Sequence, residues 1–272
     1  MITKKEKLNI ILSPQKKYTI QNNTICFLPG NRLPVKSAGE GLFANIQDII
    51  KRYGQLYYII VNLLAPILPS LEYRKKLKSL LRQYTEKHII VNLGSGPHHI
   101  MNRKDIINID IFAFDEVDVA ADAFNLPIID NTVDLIINIA MLEHIANPRK
   151  VMEEMARILR PGGEIICDLP FLVPFHAAPN DFYRWTISGI KELCHAFKDI
   201  EIGISGGPIS GMLWAFQECV AILFSFGSKT VHDIMLMFVM VLTSPLKLLD
   251  LILVKFPYAE KISASFYMIA KK

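Results

Sequence analysis

The feature that most constrains the fold is a series of short apolar runs in the middle of the chain. They are rich in valine, isoleucine and leucine, and they lie at residues 88–93, 105–111, 117–122, 133–139 and 163–169. An amphipathic segment at 147–160 separates the last two runs. Such alternation is typical of a parallel sheet with helices on both faces. We therefore predict an α/β fold with a doubly wound, mostly parallel sheet.

The helix between the last two runs has clear end signals. Asn147 is predicted as its N-cap, Pro148 takes the first helical position, and residues 161–163, a Pro-Gly-Gly sequence, stop it. Helical spacing predicts a buried stripe of Val151, Met152, Met155, Ile158 and Leu159.

Two more strands are predicted at 199–204 and 263–271, which makes the sheet seven-stranded. Apolar helical segments at 211–227 and 231–254 lie between them, in the place where a short turn would suffice. The domain prediction is an N-terminal extension with short strands and apolar helices over 1–84, a main domain over 85–272, and within it a hydrophobic helical insertion over 208–260.

Charge and cysteine content exclude several function classes. The 30 Lys and Arg residues nearly balance the 26 Asp and Glu residues and are spread along the chain, so nucleic acid is not an expected partner. The cysteines are far apart, which favours reduced thiols and predicts neither disulfides nor a metal site. The N-terminal apolar patch is too short for a signal peptide, so we expect a cytoplasmic protein. The sequence leaves its oligomeric state open.

Three predicted strands end in residues suited to binding an adenosine. The first delivers 94–96, a Gly-Ser-Gly turn whose glycines let the backbone lie against a ligand. The second ends in Asp110, sixteen positions after Gly94, where a carboxylate can accept from both ribose hydroxyls. After the third, Asp122 could accept from the adenine amine and Ala123 could donate its N–H to a ring nitrogen.

The type of adenosine ligand follows from what the glycine turn lacks. A dinucleotide-binding loop needs a third glycine, and that position holds His99. A phosphate-binding Gly-Lys-Ser/Thr loop is missing from the sequence as well. S-adenosylmethionine fits best, because it has no pyrophosphate; an NAD-dependent dehydrogenase is the disfavoured alternative.

The segments "VNLGSGP", "NIDI", "ADAFNLPIIDNTVDLIIN" and "AMLEHIANPRKVMEEMARILRPGGEII" resemble the motifs of class I S-adenosylmethionine-dependent methyltransferases of the methyltransferase type 11 group. The resemblance is dense over 87–171 and implies a Rossmann-like fold with a seventh, antiparallel strand. It implies that the 94–96 turn wraps the methionine part of the cofactor, and that the loop from Asn138 toward His144 borders the methyl group. The predicted cofactor-binding set is Asn92, Gly94, Ser95, Gly96, Asp110, Ile111, Asp122, Ala123 and Asn138.

Two positions depart from the family pattern. Asn92 replaces an acidic residue two positions before the first glycine, and Pro97 follows the pair where a further glycine is usual. Asn92 can donate and accept hydrogen bonds but carries no charge for the cofactor. A non-catalytic relative that only binds the cofactor or a partner is therefore an alternative.

The candidates for the acceptor site are His144, His176, Asp181, Tyr183 and Arg184, all in loops at the carboxyl edge of the sheet. The segment "HAAPNDFYRWT" resembles one in which His, Asp and Arg face the substrate cleft of bacterial members of the group. Two alternatives stay open. Asp181 and Arg184 could pair to fix the loop with Phe182 and Trp185 in the core, and His144 could only orient its own loop.

The insertion bears on the acceptor. It leaves the carboxyl end of the sixth strand and is rich in Met, Leu and Phe. One interpretation is an apolar lid that, with residues 56–68, contacts the inner face of a membrane or admits a lipid-like acceptor. The other is an insert that packs on the core or on a second subunit. The sequence therefore predicts methyl transfer to a small-molecule or lipid-linked acceptor, at oxygen in preference to nitrogen or carbon.

Overall fold

The fold is built on a single nine-stranded sheet. It was obtained as a computed structural model, which describes residues 3–21, 23–28, 63–97, 100–176 and 180–272. The strands are β1 (Thr19–Gln21), β2 (Thr24–Cys26), β3 (Ile90–Leu93), β4 (Ile107–Asp110), β5 (Val119–Ala120), β6 (Val133–Ile139), β7 (Leu159–Pro170), β8 (Lys198–Gly206) and β9 (Ser265–Lys271). The α-helices among these residues are α1 (Lys4–Ile11), α2 (Leu71–Gln83), α3 (Pro148–Ile158), α4 (Ile187–Leu193), α5 (Pro208–Ser225), α6 (Lys229–Thr243) and α7 (Asp250–Leu253).

The strand order is β1-β2-β5-β4-β3-β6-β7-β9-β8. Strands β5, β4, β3, β6 and β7 are parallel, and β9 runs antiparallel to both β7 and β8. The predicted parallel sheet with a reversed last strand is confirmed. All five parallel strands present their carboxyl ends at one edge, which is the edge where open α/β sheets bind ligands.

The predicted number of seven strands is wrong, because the N-terminal hairpin of β1 and β2 joins the sheet. Strand β2 pairs in parallel with β5, and the backbone N–H groups of Ile25 and Phe27 donate to Asp118 and Ala120 at 2.9 Å. Without these bonds the outer edge of β5 would expose unpaired backbone groups.

Helices cover both faces of the sheet. Asn147 caps α3, where its side chain accepts from the Lys150 N–H, and the five predicted stripe residues are fully buried. The predicted helix end is wrong: α3 ends at Ile158, and Leu159 with residues 161–163 belongs to β7, because Leu159 pairs with Val133 of β6. Helix α2 covers the opposite face through Tyr73, Leu80 and Leu81. The helical segment predicted before α2 falls mostly at residues 45–62, outside the described residues.

The insertion forms a helical hairpin, α5 and α6, followed by a 3₁₀ segment at Ser244–Leu249 and by α7. Two stretches in it, Pro208–Ser225 and Lys229–Leu253, are long and apolar enough to cross a membrane by length and composition. Within an 18-residue segment of each stretch, only 39% and 22%, respectively, is buried. Most of this apolar surface is therefore not covered by the rest of the protein.

Candidate functional site

The turn after β3 is held against β4 by its backbone. The N–H groups of Gly94 and Ser95 both donate to the Ile109 carbonyl, at 2.8 and 3.2 Å. Gly94 has φ +72° and a Cβ there would overlap the Met141 side chain, so glycine is required. Gly96 has φ +55°, but a Cβ on it would meet nothing within 4 Å. The turn is therefore closed at Gly94, where Met141 packs against it, and open to a ligand at Gly96.

Asp110 lies directly beside this turn, as predicted. Its Oδ2 accepts from the Gly96 N–H at 2.8 Å, and its Oδ1 accepts from the Phe112 N–H at 3.0 Å. Burial raises the pKa of Asp110, and the backbone donors oppose that rise. The carboxylate is thus fixed at the strand end, and each oxygen keeps a lone pair for another donor.

Two buried asparagines lie below the turn. The Asn138 amide nitrogen donates to the Leu93 carbonyl at 2.8 Å, while its Oδ1 is buried and has no hydrogen-bond partner among the described residues. Asn92 instead donates to the Asn108 side chain at 3.1 Å, within the sheet between β3 and β4. Asn138 therefore offers an unused acceptor, whereas Asn92 has a structural partner.

The predicted adenine-binding residues follow β5 at the same edge. Asp122 Oδ1 accepts from the Phe124 N–H at 2.9 Å, which closes a short turn. The neighbouring Ala121 N–H donates to the Asp110 carbonyl at 2.9 Å and so ties the ends of β4 and β5 together. Ile111 and Ala123 are half-buried beside these two acids, and Ser95 is buried in the turn.

A second cluster lies where the loops after β6 and β7 meet. It consists of Glu143, His144, His176, Asp181, Tyr183 and Arg184. The Phe182 N–H donates to the Glu143 carbonyl at 2.7 Å, and the Tyr183 hydroxyl donates to the Ala146 carbonyl at 2.9 Å. His144 Nδ1 lies 2.6 Å from the Asn180 carbonyl. The candidate acceptor-site residues on the loop after β6 and those on the loop after β7 are thus in contact.

Asp181 and Arg184 form a bidentate pair, with Nη1–Oδ1 and Nη2–Oδ2 distances of 2.5 and 2.7 Å. This pair lowers the pKa of Asp181 to about 2. Asp181 also accepts from the His176 N–H, and Arg184 donates to the Val173 and Pro174 carbonyls. These contacts fix the loop that carries His176, in agreement with the loop-fixing alternative.

The two aromatic residues of this loop differ in burial. Trp185 is 7% exposed and lies in the core. Phe182 is 50% exposed, so the alternative that placed both aromatic residues in the core is wrong for Phe182. The Phe182 N–H donates to the Glu143 carbonyl while its ring faces solvent.

The sequence places Glu143 only on the loop that borders the predicted methyl group, and it predicts no role for Asp168. Glu143 is fully buried, with its Oε1 3.8 Å from His144 Nε2 and 3.7 Å from His176 Nε2, and this carboxylate raises the pKa of His176. Asp168, near the end of β7, accepts from the Ser205 hydroxyl at 2.6 Å, and burial raises its pKa to about 6. The one sequence signal for a role of Glu143 or Asp168 was that each is a charged residue among apolar neighbours.

The insertion reaches this cluster. In α5, the Trp214 ring lies 5.5 Å from the His176 ring, centroid to centroid. A groove of about 430 Å³ runs between α5 and the loop after β7, lined by Leu172, Val173, Pro174, Ala215, Glu218, Cys219 and Ile222. Apolar surface therefore adjoins the polar cluster.

Residues 98–167 match the family described as a methyltransferase domain, Methyltransf_11. The chain is 39% identical over 72 residues to the ubiquinone/menaquinone biosynthesis C-methyltransferase of Idiomarina loihiensis, covering 25% of this chain and 28% of that protein. It is 42% identical over 48 residues to the demethylmenaquinone methyltransferase of Paenarthrobacter aurescens, covering 18% and 19%. The chain thus spans less than a third of the length of either relative.

Among solved structures, the chain is similar to phosphoethanolamine N-methyltransferase 2 of Haemonchus contortus. The TM-score is 0.46 and the identity 14%, over 83% of this chain and 59% of that one.

Proposed function

We propose that this chain, which carries a class I S-adenosylmethionine-dependent methyltransferase domain of the type 11 group, transfers a methyl group to an oxygen of a small-molecule or lipid-linked acceptor. The proposal rests on the bond from the Gly96 N–H to Asp110 Oδ2, which fixes an acid beside the open glycine turn. The neighbouring loops carry the Glu143–His144–His176 cluster.

The residues present fit S-adenosylmethionine. Gly96 leaves open space at a positive φ, and Asn138 Oδ1 is a buried acceptor that needs a donor. Gly94 to Gly96 would hold the methionine part, Asp110 the ribose, and Asp122 with the Ala123 N–H the adenine. When bound, the cofactor supplies an electrophilic methyl group on a sulfonium.

The second cluster would position the acceptor. His144 and His176 are half-buried imidazoles at the loop ends, and either can accept the proton of a hydroxyl. Asp181 and Arg184 act through the loop and hold His176 in place. This division of roles supports methyl transfer to oxygen, because a hydroxyl needs both alignment and removal of its proton.

Calorimetry tests the cofactor assignment. S-adenosylmethionine and S-adenosylhomocysteine are expected to bind with one site per chain, and NAD is expected not to bind. S-adenosylhomocysteine formation should then be measured with phenols and amines that carry matched alkyl tails. Binding of NAD alone would contradict the proposal, and cofactor binding without turnover on any acceptor would favour the non-catalytic alternative.

The insertion supports a lipid-like acceptor taken from a membrane surface. Its exposed apolar residues include Phe216, Leu223, Phe226, Phe238, Leu242 and Ile252, each at least 53% exposed. An exposed apolar surface of this kind is typical of membrane or partner contact. The groove beside Trp214 would connect it to the second cluster.

We infer that the hairpin lies on the membrane and does not cross it. Asp250 bonds to the first turn of α5, and the Lys247 ammonium donates to the Leu63 and Ala65 carbonyls at 2.8 and 2.6 Å. A spanning arrangement would have to break these contacts or carry them into hydrocarbon. The expected location is peripheral, at the inner face of the membrane.

Flotation with anionic vesicles checks the membrane contact. The full chain is expected to float, and a Leu223→Asp/Leu242→Asp variant should bind at least about tenfold more weakly, because it removes two apolar side chains from the interface. Ile20→Asp is the matched control, since Ile20 is 68% exposed at the opposite edge of the sheet. An alkaline carbonate wash should release the protein, and retention after the wash would indicate a spanning hairpin.

A further inference from the structure

Glu143 is a buried acid without a hydrogen-bond donor among the residues that the structure describes. It lies in the 3₁₀ turn Leu142–His144 after β6 and has no exposed surface. Neither of its carboxylate oxygens has a hydrogen-bond partner in the part of the chain that the structure describes. An ionised carboxylate is rarely buried without a partner, because burial removes its hydration.

Two imidazole nitrogens face this carboxylate at similar distances. His144 Nε2 and His176 Nε2 lie 3.8 and 3.7 Å from Glu143 Oε1, beyond hydrogen-bond length. The three ligand atoms all lie within 4.8 Å of one another. Atoms that each lie about 2.1 Å from one tetrahedral ion are about 3.4 Å apart, so the two distances from Glu143 Oε1 exceed that spacing by a few tenths of an ångström, and binding an ion would draw the two rings together.

The other ring nitrogen of each histidine lies against a backbone carbonyl. His144 Nδ1 lies 2.6 Å from the Asn180 carbonyl, which can only accept, so Nδ1 carries the hydrogen. His176 Nδ1 lies 3.0 Å from the Pro174 carbonyl. The neighbouring Arg184 Nη2 already donates to Pro174 and Asp181, which leaves His176 Nδ1 as a donor as well.

The Nε2 atom of each ring is therefore the one that faces the buried carboxylate, and three potential ligand atoms converge on one point. A cation bound there would offset the charge of the buried carboxylate. A carbonyl that accepts from the remote nitrogen of each ring is also the usual outer partner of a metal-binding histidine.

We propose that Glu143, His144 and His176 bind a divalent transition-metal ion of the Zn²⁺ type through Glu143 Oε1 and the two Nε2 atoms. Two imidazoles and one carboxylate suit such ions, and three protein ligands leave a coordination position open. Trp214 of the insertion packs beside His176, with the ring centroids 5.5 Å apart.

The open position would take an oxygen ligand of the acceptor. This part rests on the proposed function, because the cluster lies on the loops that border the predicted methyl group. With both Nε2 atoms bound to the ion, the ion would replace the free imidazoles in activating the hydroxyl. A hydroxyl bound to a divalent cation loses its proton at lower pH, so the site selects acceptors with a hydroxyl that can ligate the ion.

The first test titrates Zn²⁺ and Co²⁺ into the chelator-treated full chain by calorimetry. One ion per chain is expected, and His144→Ala and His176→Ala should each weaken binding by at least about 100-fold through loss of a ligand. His232→Ala is the matched control, because His232 lies near Glu218 and Asp233 at 3.3 and 3.4 Å, outside this cluster. Equal binding by wild type and His176→Ala would overturn the proposal.

The second test uses Glu143→Gln. This substitution removes a buried charge, so the metal-free variant should have a higher Tm than the metal-free wild type, and Zn²⁺ should raise the Tm of the wild type only. A lower Tm for Glu143→Gln, with no Zn²⁺ effect on either protein, would show that a proton shared with His176 holds the cluster. S-adenosylmethionine calorimetry on the same variants separates failure of the metal site from failure of the proposed function.

Discussion

Replacement of Asp110 by alanine is expected to weaken S-adenosylmethionine binding by at least about 100-fold. Hydrogen bonds to a charged group contribute about 1.5–3 kcal/mol each, and two ribose hydroxyls would lose their acceptor. The substitution also frees the Gly96 N–H, which Asp110 holds at 2.8 Å, so the glycine turn loses its anchor on β4. Calorimetry measures the dissociation constant directly.

Two variants control for this result. Asp115→Ala removes an exposed acid five positions further along and should leave binding within about twofold, since a distant surface charge is screened. His176→Ala should also spare cofactor binding, because His176 belongs to the second cluster. Thermal unfolding confirms that each variant folds. An Asp110→Ala protein that folds and binds the cofactor as tightly as wild type would contradict the ribose assignment.

The parallel strands and the start of α3 could be predicted because each depends on local sequence. A β-branched run is a strand wherever it pairs, and Asn147 with Pro148 marks a helix start without reference to the rest of the chain. The glycine turn and Asp110 follow from the same logic, because strand ends in a parallel sheet share an edge.

The position of the N-terminal hairpin could not be predicted in this way. Residues 19–26 suggest two short strands, but nothing local states that Ile25 pairs with Val119, far away in sequence. Strands of two or three residues carry too little pattern to select a partner. Strand β2 pairs with the free edge of β5, and that edge forms only when the sheet has folded.

The second cluster shows the same limit. His144 and His176 were predicted as separate candidates, yet their common partner is Glu143, which the sequence presents as one acid among apolar neighbours. These residues meet only in the folded chain, where the Phe182 N–H donates to the Glu143 carbonyl and Arg184 fixes the loop that carries His176. The ring of Phe182 is exposed on that loop, which the aromatic pattern alone could not predict.

Replacement of Asp250 by alanine is expected to lower the free energy of unfolding by about 3 kcal/mol while leaving cofactor binding unchanged. Helix α5 begins after Gly207, which has no side chain to cap it. Asp250 supplies the cap from forty residues away: its carboxylate accepts from the Ile209 and Ser210 N–H groups at 2.8 and 2.9 Å and from the Ser210 hydroxyl at 2.7 Å. It is 3% exposed, so water cannot easily replace it.

Loss of this cap should release the insertion from the sheet domain. We expect methyl transfer to the acceptor to be affected and cofactor binding to be unchanged. Trp214 would move away from His176, and methyl transfer to alkyl-tailed acceptors should fall by at least about tenfold while the S-adenosylmethionine dissociation constant stays within about twofold. Asp250→Asn keeps one neutral acceptor and should show a smaller loss, and Glu260→Ala, an exposed acid of the same insertion, should show none. Chemical denaturation and turnover assays on the same samples measure both effects. If Asp250→Ala weakened cofactor binding as strongly as turnover, the insertion would be part of the cofactor site, and its assignment to the acceptor would have to be abandoned.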